Sequence, residues 1–482
     1  MLPILNDTRK PFTSRDNLGI NAATSSLQAE LCPVVNTVTP RAFYWPFLVW
    51  NYYDYHKNSG VPKKDVQSFE TEYLKKNDYF FVLGNLLSGQ SDEYNLVGKD
   101  NTRADIVPGK ELYSYNRKYF LASFGGMQYY TAGCDTLGFV TSEDGNGRTY
   151  DFPLITENLG KPMAVAFEDV IKHTEYYKNY RFSDKPVPVS ALVELGNTIN
   201  LSMNQLPECR RLLKEALFTP TKNIRLNNDN LISSANYVKF IHDSYGDHIG
   251  SEQLRNILYQ VFSVRGDSAA LNSDLDDISK KWEIAVGRQY LTLAIELLWK
   301  ELLDHLVNPV PMKIWLEETV KSSDFHSIFL NEAIQKQAEK EDLPSNTIES
   351  MIQLGYRNRR SDGHIIERSM RILFSLYCRF KDRDDLNSVF LNYGGDVSLS
   401  NLITQIDSNP NMTAKEFLWE ITHNWILKRH LDVAREKMYY GRDGYYFSMT
   451  DGLCCFRYKP YPEFQGNRLV QLTRVMKDLD ML

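Results

Sequence analysis

Apolar positions along this chain recur mostly at three- and four-residue spacing, the mark of amphipathic helices. Residues 20–31 carry that spacing and predict a short helix. Between Arg41 and His56, the residues Phe43, Phe47 and Trp50 fall at i, i+4 and i+7 and define one face of a second helix. That stripe reads either as an aromatic platform for bases or as a core face whose tyrosine hydroxyls reach solvent, and the core reading is the stronger. Residues 62–88 predict a further helical pair, with Pro62 in a permitted first-turn position.

The pattern changes over 112–178. Leu137 to Val140 is a short apolar strand, Ser142 to Gly147 is a turn rich in residues that tolerate positive φ, and Arg148 to Ile155 returns as a second strand. Thr156 to Gly160 then precedes a helix with Met163, Ala166, Phe167 and Val170 on one face. Helix, strand, glycine turn, strand and helix in that order predict a winged-helix-like unit.

From 186 to 355 the periodicity is helical almost throughout. The longest run, Ile278 to Leu306, places Ile278, Trp282, Ala285, Leu293, Leu297 and Leu302 on one stripe, starts at Asp276-Asp277 and stops at Asn308-Pro309. Further on, helices are predicted from Gly363 to Asp382 and from Thr413 to Tyr440. Two alternating runs around Asp451-Gly452 follow, a strong hairpin signal, and a last helix spans Asn467 to Leu479. The expected fold is mainly α and multi-domain. An N-terminal helical region (1–105), a winged-helix-like unit (106–180), a central helical domain (181–345) and a C-terminal helical unit with a β-hairpin (346–482) follow one another.

Composition narrows the function classes. With 482 residues, 43% hydrophobic and 12% aromatic, the chain can bury several cores. A net charge of −6 gives no global attraction to nucleic acid or anionic lipid, so any such contact needs a local patch. Cys32, Cys134, Cys209, Cys378, Cys454 and Cys455 show no metal or disulfide spacing, which points to a reducing compartment. The first residues lack a signal-peptide pattern, and the apolar stretch Ala42 to Trp50 is far short of the ~20 residues a bilayer requires. The cytoplasm is the expected location.

The local patch exists. Between Arg357 and Arg383 eight basic residues stand against three acidic ones. Arg357, Arg359, Arg360, Arg368, Arg371 and Arg379 are the candidate nucleic-acid-binding residues, because arginine forks match phosphate oxygens. The competing reading pairs these arginines with acids such as Glu332, Glu339 and Glu341. Within the patch, Arg357-Asn358 and His364 resemble the Arg-x(4–6)-His motif of HEPN ribonucleases. That resemblance implies phosphate-charge stabilisation by Arg357 and acid–base transfer by His364. Ser361-Asp362-Gly363 departs from it, since it reads as a helix start between two residues that share one helix in that family.

His242, Asp243, Asp247 and His248 could serve a divalent metal, but a solvated turn is the favoured reading, and no metal or cofactor is expected. No GxGxxG after a strand, Walker loop, GxSxG or HExxH occurs. The hairpin of the winged-helix-like unit is acidic: six basic against nine acidic residues over 110–175, with Glu143-Asp144 at its tip. Phosphate neutralisation drives DNA binding, so an acidic wing fits a protein partner, or a purely structural hairpin, better than an operator.

Three groups of residues together resemble bacterial proteins of multi-gene anti-phage defence loci. They are Arg41, Phe47 and Trp50; the unit from Leu137 to Phe167; and His430 to Lys437 ahead of a hairpin. The resemblance implies partnership with an ATPase, helicase or nuclease subunit and brings no catalytic residue. Winged-helix-like units at both ends of a helical body are also kleisin-like, an analogy of fold alone. The expected function is a non-catalytic scaffold or adaptor subunit with nucleic-acid backbone contact. The alternatives are an RNA- or DNA-cleaving effector using Arg357 and His364, and a winged-helix DNA-binding regulator.

Overall fold

Helices dominate the protein because its apolar residues lie in stripes that only neighbouring helices can cover. The fold is given by a computed structural model, which describes residues 16, 18–35, 41–58, 66–89, 96–116, 128–143, 149–219, 228–246, 251–259, 273–321, 328–339, 364–439, 444–460, 462 and 466–482. The chain forms two compact units, each assembled from segments distant in sequence. One comprises Ala29–Asp247 with Gly466–Leu482, the other Met1–Gln28 with His248–Gln465.

In chain order the helices begin with α1 (Ile20–Leu31), α2 (Tyr44–Asn58), α3 (Val66–Ser88), α4 (Lys99–Arg103), α5 (Gln128–Thr136), α6 (Gly160–Ile171) and α7 (Glu175–Asn179). Then come α8 (Val189–Thr198), α9 (Pro207–Phe218), α10 (Asp229–Tyr245), α11 (Ser251–Tyr259), α12 (Ser273–Asp304), α13 (Met312–Lys321) and α14 (Leu330–Glu339). The remainder are α15 (His364–Phe380), α16 (Ser388–Leu391), α17 (Leu399–Asp407), α18 (Ala414–Glu420), α19 (Arg429–Tyr439) and α20 (Arg468–Asp478). Short strands punctuate them: β1 (Leu112–Tyr113), β2 (Val140–Glu143), β3 (Thr149–Ile155), β4 (Val187–Pro188), β5 (Val310–Pro311), β6 (Phe447–Thr450) and β7 (Leu453–Phe456).

In the 29–247 unit the aromatic stripe of α2 is core. Phe43, just ahead of the helix, and Phe47 and Trp50 within it are at most 2% exposed. Phe81 of α3 stacks 4.7 Å from Phe43, and Phe167 of α6 lies 5.4 Å from Trp50. The tyrosines do not reach outward as expected: Tyr44, Tyr52 and Tyr55 are buried, and the Tyr44 hydroxyl accepts from the Val97 N–H at 3.0 Å. Pro46 sits in the first turn of α2, where its missing N–H leaves no intrahelical bond unmade. The expected helical pair over 62–88 is a single helix in its described part, α3. It crosses α8 where two glycines meet: a Cβ on Gly196 would stand 2.2 Å from the Gly84 carbonyl oxygen, so only side-chainless residues allow this approach.

In α6 the buried face is Met163, Ala164, Phe167 and Ile171, with Ala166 and Val170 only half-buried. Thr156 ties this helix to the preceding strand region, accepting from Gly160 N–H at 3.0 Å and donating to the Gly138 carbonyl at 2.7 Å. Strands β2 and β3 pair antiparallel through Val140–Ile155 and Thr141–Leu154. Helix α20 returns to this unit from the far end of the chain. Its Asp478 accepts from Arg41 Nε at 2.9 Å and from Ala42 N–H at 3.0 Å.

The 248–465 unit is built around α12. Periodicity predicts one apolar stripe on this helix, yet every residue from Trp282 to Trp299 is buried, polar ones included. Glu283, Arg288, Gln289, Thr292, Glu296 and Glu301 are among the buried groups. Neighbours cover it on several sides, among them α11, α13, α15 and α17. The segment expected as one helix from Thr413 to Tyr440 is three: α18, a π-helical stretch Ile421–Lys428, and α19. Thr413 caps α18 in a capping box with Glu416. Strands β6 and β7 pair antiparallel around Asp451 and Gly452, both at positive φ, and β5 adds to β7 through Val310–Cys454.

Candidate functional site

In the 29–247 unit, α2, α3 and the Tyr180–Lys185 segment after α7 enclose a cavity of about 600 Å³, within the size range of small-molecule sites. Three residues of its lining, Asn58, Tyr73 and Arg181, hold Asp54 of α2, which is fully buried. A buried carboxylate is tolerable only when charge-paired and hydrogen-bonded. Asp54 meets both conditions, accepting from Arg181 Nε at 3.0 Å, from Asn58 Nδ2 at 2.7 Å and from the Tyr73 hydroxyl. Arg181 is held in place by the Tyr177 carbonyl and by its stacking 3.8 Å over the Tyr177 ring. Behind Asp54, Tyr176 donates to Asn77 at 2.7 Å and Asn77 donates to Asn51 at 2.7 Å.

Burial, then the Asp54 charge, push the Tyr73 hydroxyl well above its ordinary value, so it stays protonated. Its ring stacks 4.8 Å from that of Phe182, which is 43% exposed at the cavity rim. Lys76 donates to the Ser183 carbonyl. Burial holds its amine below the ordinary lysine value, against the opposing pull of Asp184 and Glu72. With Arg181 spent on Asp54, the remaining charged lining among the described residues is two acids, Glu72 and Asp184, and two bases, Lys76 and Lys185. Such a lining can seat a small polar molecule bearing both signs of charge, with a flat group against Phe182.

The arginine patch is less available than its composition suggests. Arg357, Arg359 and Arg360 lie outside the described residues. Arg379 on α15 turns inward, donating to Glu283 at 2.7 Å and to the Tyr259 carbonyl at 2.6 Å. Arg383 reaches the same Glu283 at 3.3 Å and also pairs with Asp385 at 2.7 Å. Arg371 pairs with Glu367 one turn back along α15, and Arg368 is half-buried. Among the described residues the acids that meet this patch are Glu283, Glu367 and Asp385; Glu332 is engaged with Lys336 at 2.8 Å, and Glu341 and the Glu339 side chain lie outside the described part. His364 is the first residue of α15, and its expected companion Arg357 lies outside the described residues.

His242 lies in the last turn of α10, and His248 is outside the described residues. Among the described residues no three His, Cys, Asp or Glu side chains gather to hold a metal ion, and no helix is long and apolar enough to cross a membrane. Buried thiols are poor nucleophiles here: burial pushes Cys32 and Cys209 up to about 12. The Asp54–Arg181 site escapes a reading of the sequence because its members lie 127 positions apart. The one local signal is the dense run of tyrosines and charges from Tyr176 to Asp184. No family model, curated protein or solved structure matches this chain.

Proposed function

We propose that this chain is a non-catalytic scaffold or adaptor subunit of a bacterial multi-protein complex, with anti-phage defence as its setting and the cytoplasm as its location. The observation that carries the reading is the pairing of two buried carboxylates, Asp54 and Glu283. Asp54 is satisfied by three donors and Glu283 by two arginines, an arrangement that fixes structure and leaves neither carboxylate free for acid–base chemistry. Bond-breaking then belongs to a partner of the ATPase, helicase or nuclease type. The cavity beside Asp54 serves ligand binding within that role.

The winged-helix-like reading of 106–180 is supported by the order α5, β2, β3, α6 with antiparallel strands. Of the corresponding C-terminal reading, α19, β6 and β7 follow one another in the 248–465 unit, whereas α20 belongs to the 29–247 unit. Nucleic-acid backbone contact remains the proposed role of the set Arg357, Arg359, Arg360, Arg368, Arg371 and Arg379, within which Arg371 and Arg379 pair with Glu367 and Glu283.

Co-expression with the products of adjacent genes tests the reading. A stoichiometric complex is expected, together with no turnover of RNA, DNA or nucleotide triphosphate by the chain alone. Multiple turnover by the purified chain that is lost in His364→Ala would replace this reading with the ribonuclease one.

A further inference from the structure

Arg288 stands near the middle of α12 with 1% of its surface exposed. Its Nε, Nη1 and Nη2 atoms are all shielded from solvent, and none makes a hydrogen bond among the described residues. Five N–H donors on a guanidinium are thus unmet among the described residues, whereas the half-buried Arg379 and Arg181 are closed by carboxylates, Glu283 and Asp54. The charges that act on Arg288 are Arg429, which repels it, and Asp16, which attracts it without forming an ion pair. Burial and then Arg429 draw its pKa down to about 9, so it is still a cation at neutral pH. A buried cation with this surplus of donors calls for an anion.

The wall over the guanidinium is thin. Gly394 lies so close that a Cβ there would be 2.7 Å from Nη2, and the next residue, Gly395, is exposed. Both glycines have positive φ, at 99° and 59°, so the turn between α16 and α17 is side-chainless where it covers Arg288. Arg429 is anchored by donating to the Leu18 carbonyl at 2.6 Å and to the Gly19 carbonyl at 3.4 Å.

We propose that Arg288, backed by the charge of Arg429, is the anchor of an internal oxyanion site that opens by displacement of the Gly394–Gly395 turn. Its ligand carries a phosphate or a carboxylate, the two groups that a guanidinium fork meets with paired hydrogen bonds. Binding brings the missing counter-charge and closes the turn around it. The site lies in the 248–465 unit and is independent of the cavity beside Asp54.

The test is thermal unfolding of the full chain in Tris chloride, with inorganic phosphate and sodium acetate added separately at matched ionic strength. Phosphate or acetate is expected to raise the midpoint of the wild type saturably by a few degrees. Arg288→Met is expected to remove that response while keeping a midpoint at or above the wild type's in chloride. A response to phosphate alone assigns a phosphate ligand, and one to acetate alone a carboxylate. Equal responses in wild type and Arg288→Met, or none in either, overturn the proposal. Should Arg288→Met fail to fold, Arg288→Lys keeps the charge and loses the fork. Its response must then weaken at least several-fold, and an unchanged response overturns the site.

Discussion

Asp54 and Arg288 are both buried charges, one in each unit, and the fold treats them in opposite ways. Asp54 gathers a guanidinium, an amide and a phenol around it, so its desolvation is offset by contacts from α2, α3 and the segment after α7. Arg288 lies against Gly394, feels Arg429 and Asp16, and makes no hydrogen bond among the described residues. A saturated charge fixes one conformation, because removing any member leaves the others stranded. An unsaturated one is a standing demand for a ligand or for movement. The first behaviour suits a scaffold, and the second suits a place where that scaffold senses something.

The sharpest way to break this contrast is to remove each charge without changing its size. Asp54→Asn should lower the stability of the 29–247 unit by about 3–5 kcal/mol, because it leaves Arg181 buried without its partner. Urea unfolding, with hydrogen exchange of α2 and α3 as local readout, checks this. Arg288→Met should do the reverse in the other unit, leaving stability unchanged or raising it by about 1–4 kcal/mol in chloride. A large loss there would mean that the arginine is already satisfied.

Glu283 should behave like Asp54. Glu283→Gln leaves Arg379 and Arg383 uncompensated, with an expected loss of about 3 kcal/mol, read from exchange protection in α12 and α15. If instead it only strengthens nucleic-acid binding, the arginine patch is a contact surface held in reserve. A smaller effect, about 1 kcal/mol, is expected for Thr413→Ala, which deletes the capping box of α18 and is measurable in the same urea titration.

The smallest effect is a pH dependence. The Arg383 hydrogen bond, and then Lys280, hold Asp385 down to about 2, below its unfolded value near ~3.9. Stability from this pair is therefore present above pH ~4 and is lost as pH falls toward 2. Asp385→Asn should flatten that part of the acid limb slightly, since the carboxylate is partly exposed and screened.

Much of the architecture was readable from spacing. The i, i+4, i+7 stripe of Phe43, Phe47 and Trp50 placed a core face correctly, because burying three large rings outweighs local alternatives. The 20–31 helix is also where periodicity puts it. Periodicity failed on α12, where Glu283, Arg288 and Glu296 read as a solvated face and are buried. It missed β1 with β4, since strands of two residues exist only through their pairing, Leu112 with Pro188 and Tyr113 with Val187. It also missed the π-helical stretch, whose i+5 bonds depend on what packs around Trp425 and Ile426.

By itself, then, the sequence determined a helical protein with these stripes, caps and turns, because each depends on side chains within a few residues of one another. Only the tertiary structure decided which charges meet. Arg379 and Arg383 carry the same positive charge in any reading of the chain. Whether they face phosphate or Glu283 depends on α12, about 100 positions away, lying against α15. The same folding brought Arg181 to Asp54 but, among the described residues, no hydrogen-bonding partner to Arg288. Pairing and solitude of this kind are set by long-range packing, to which local spacing is blind.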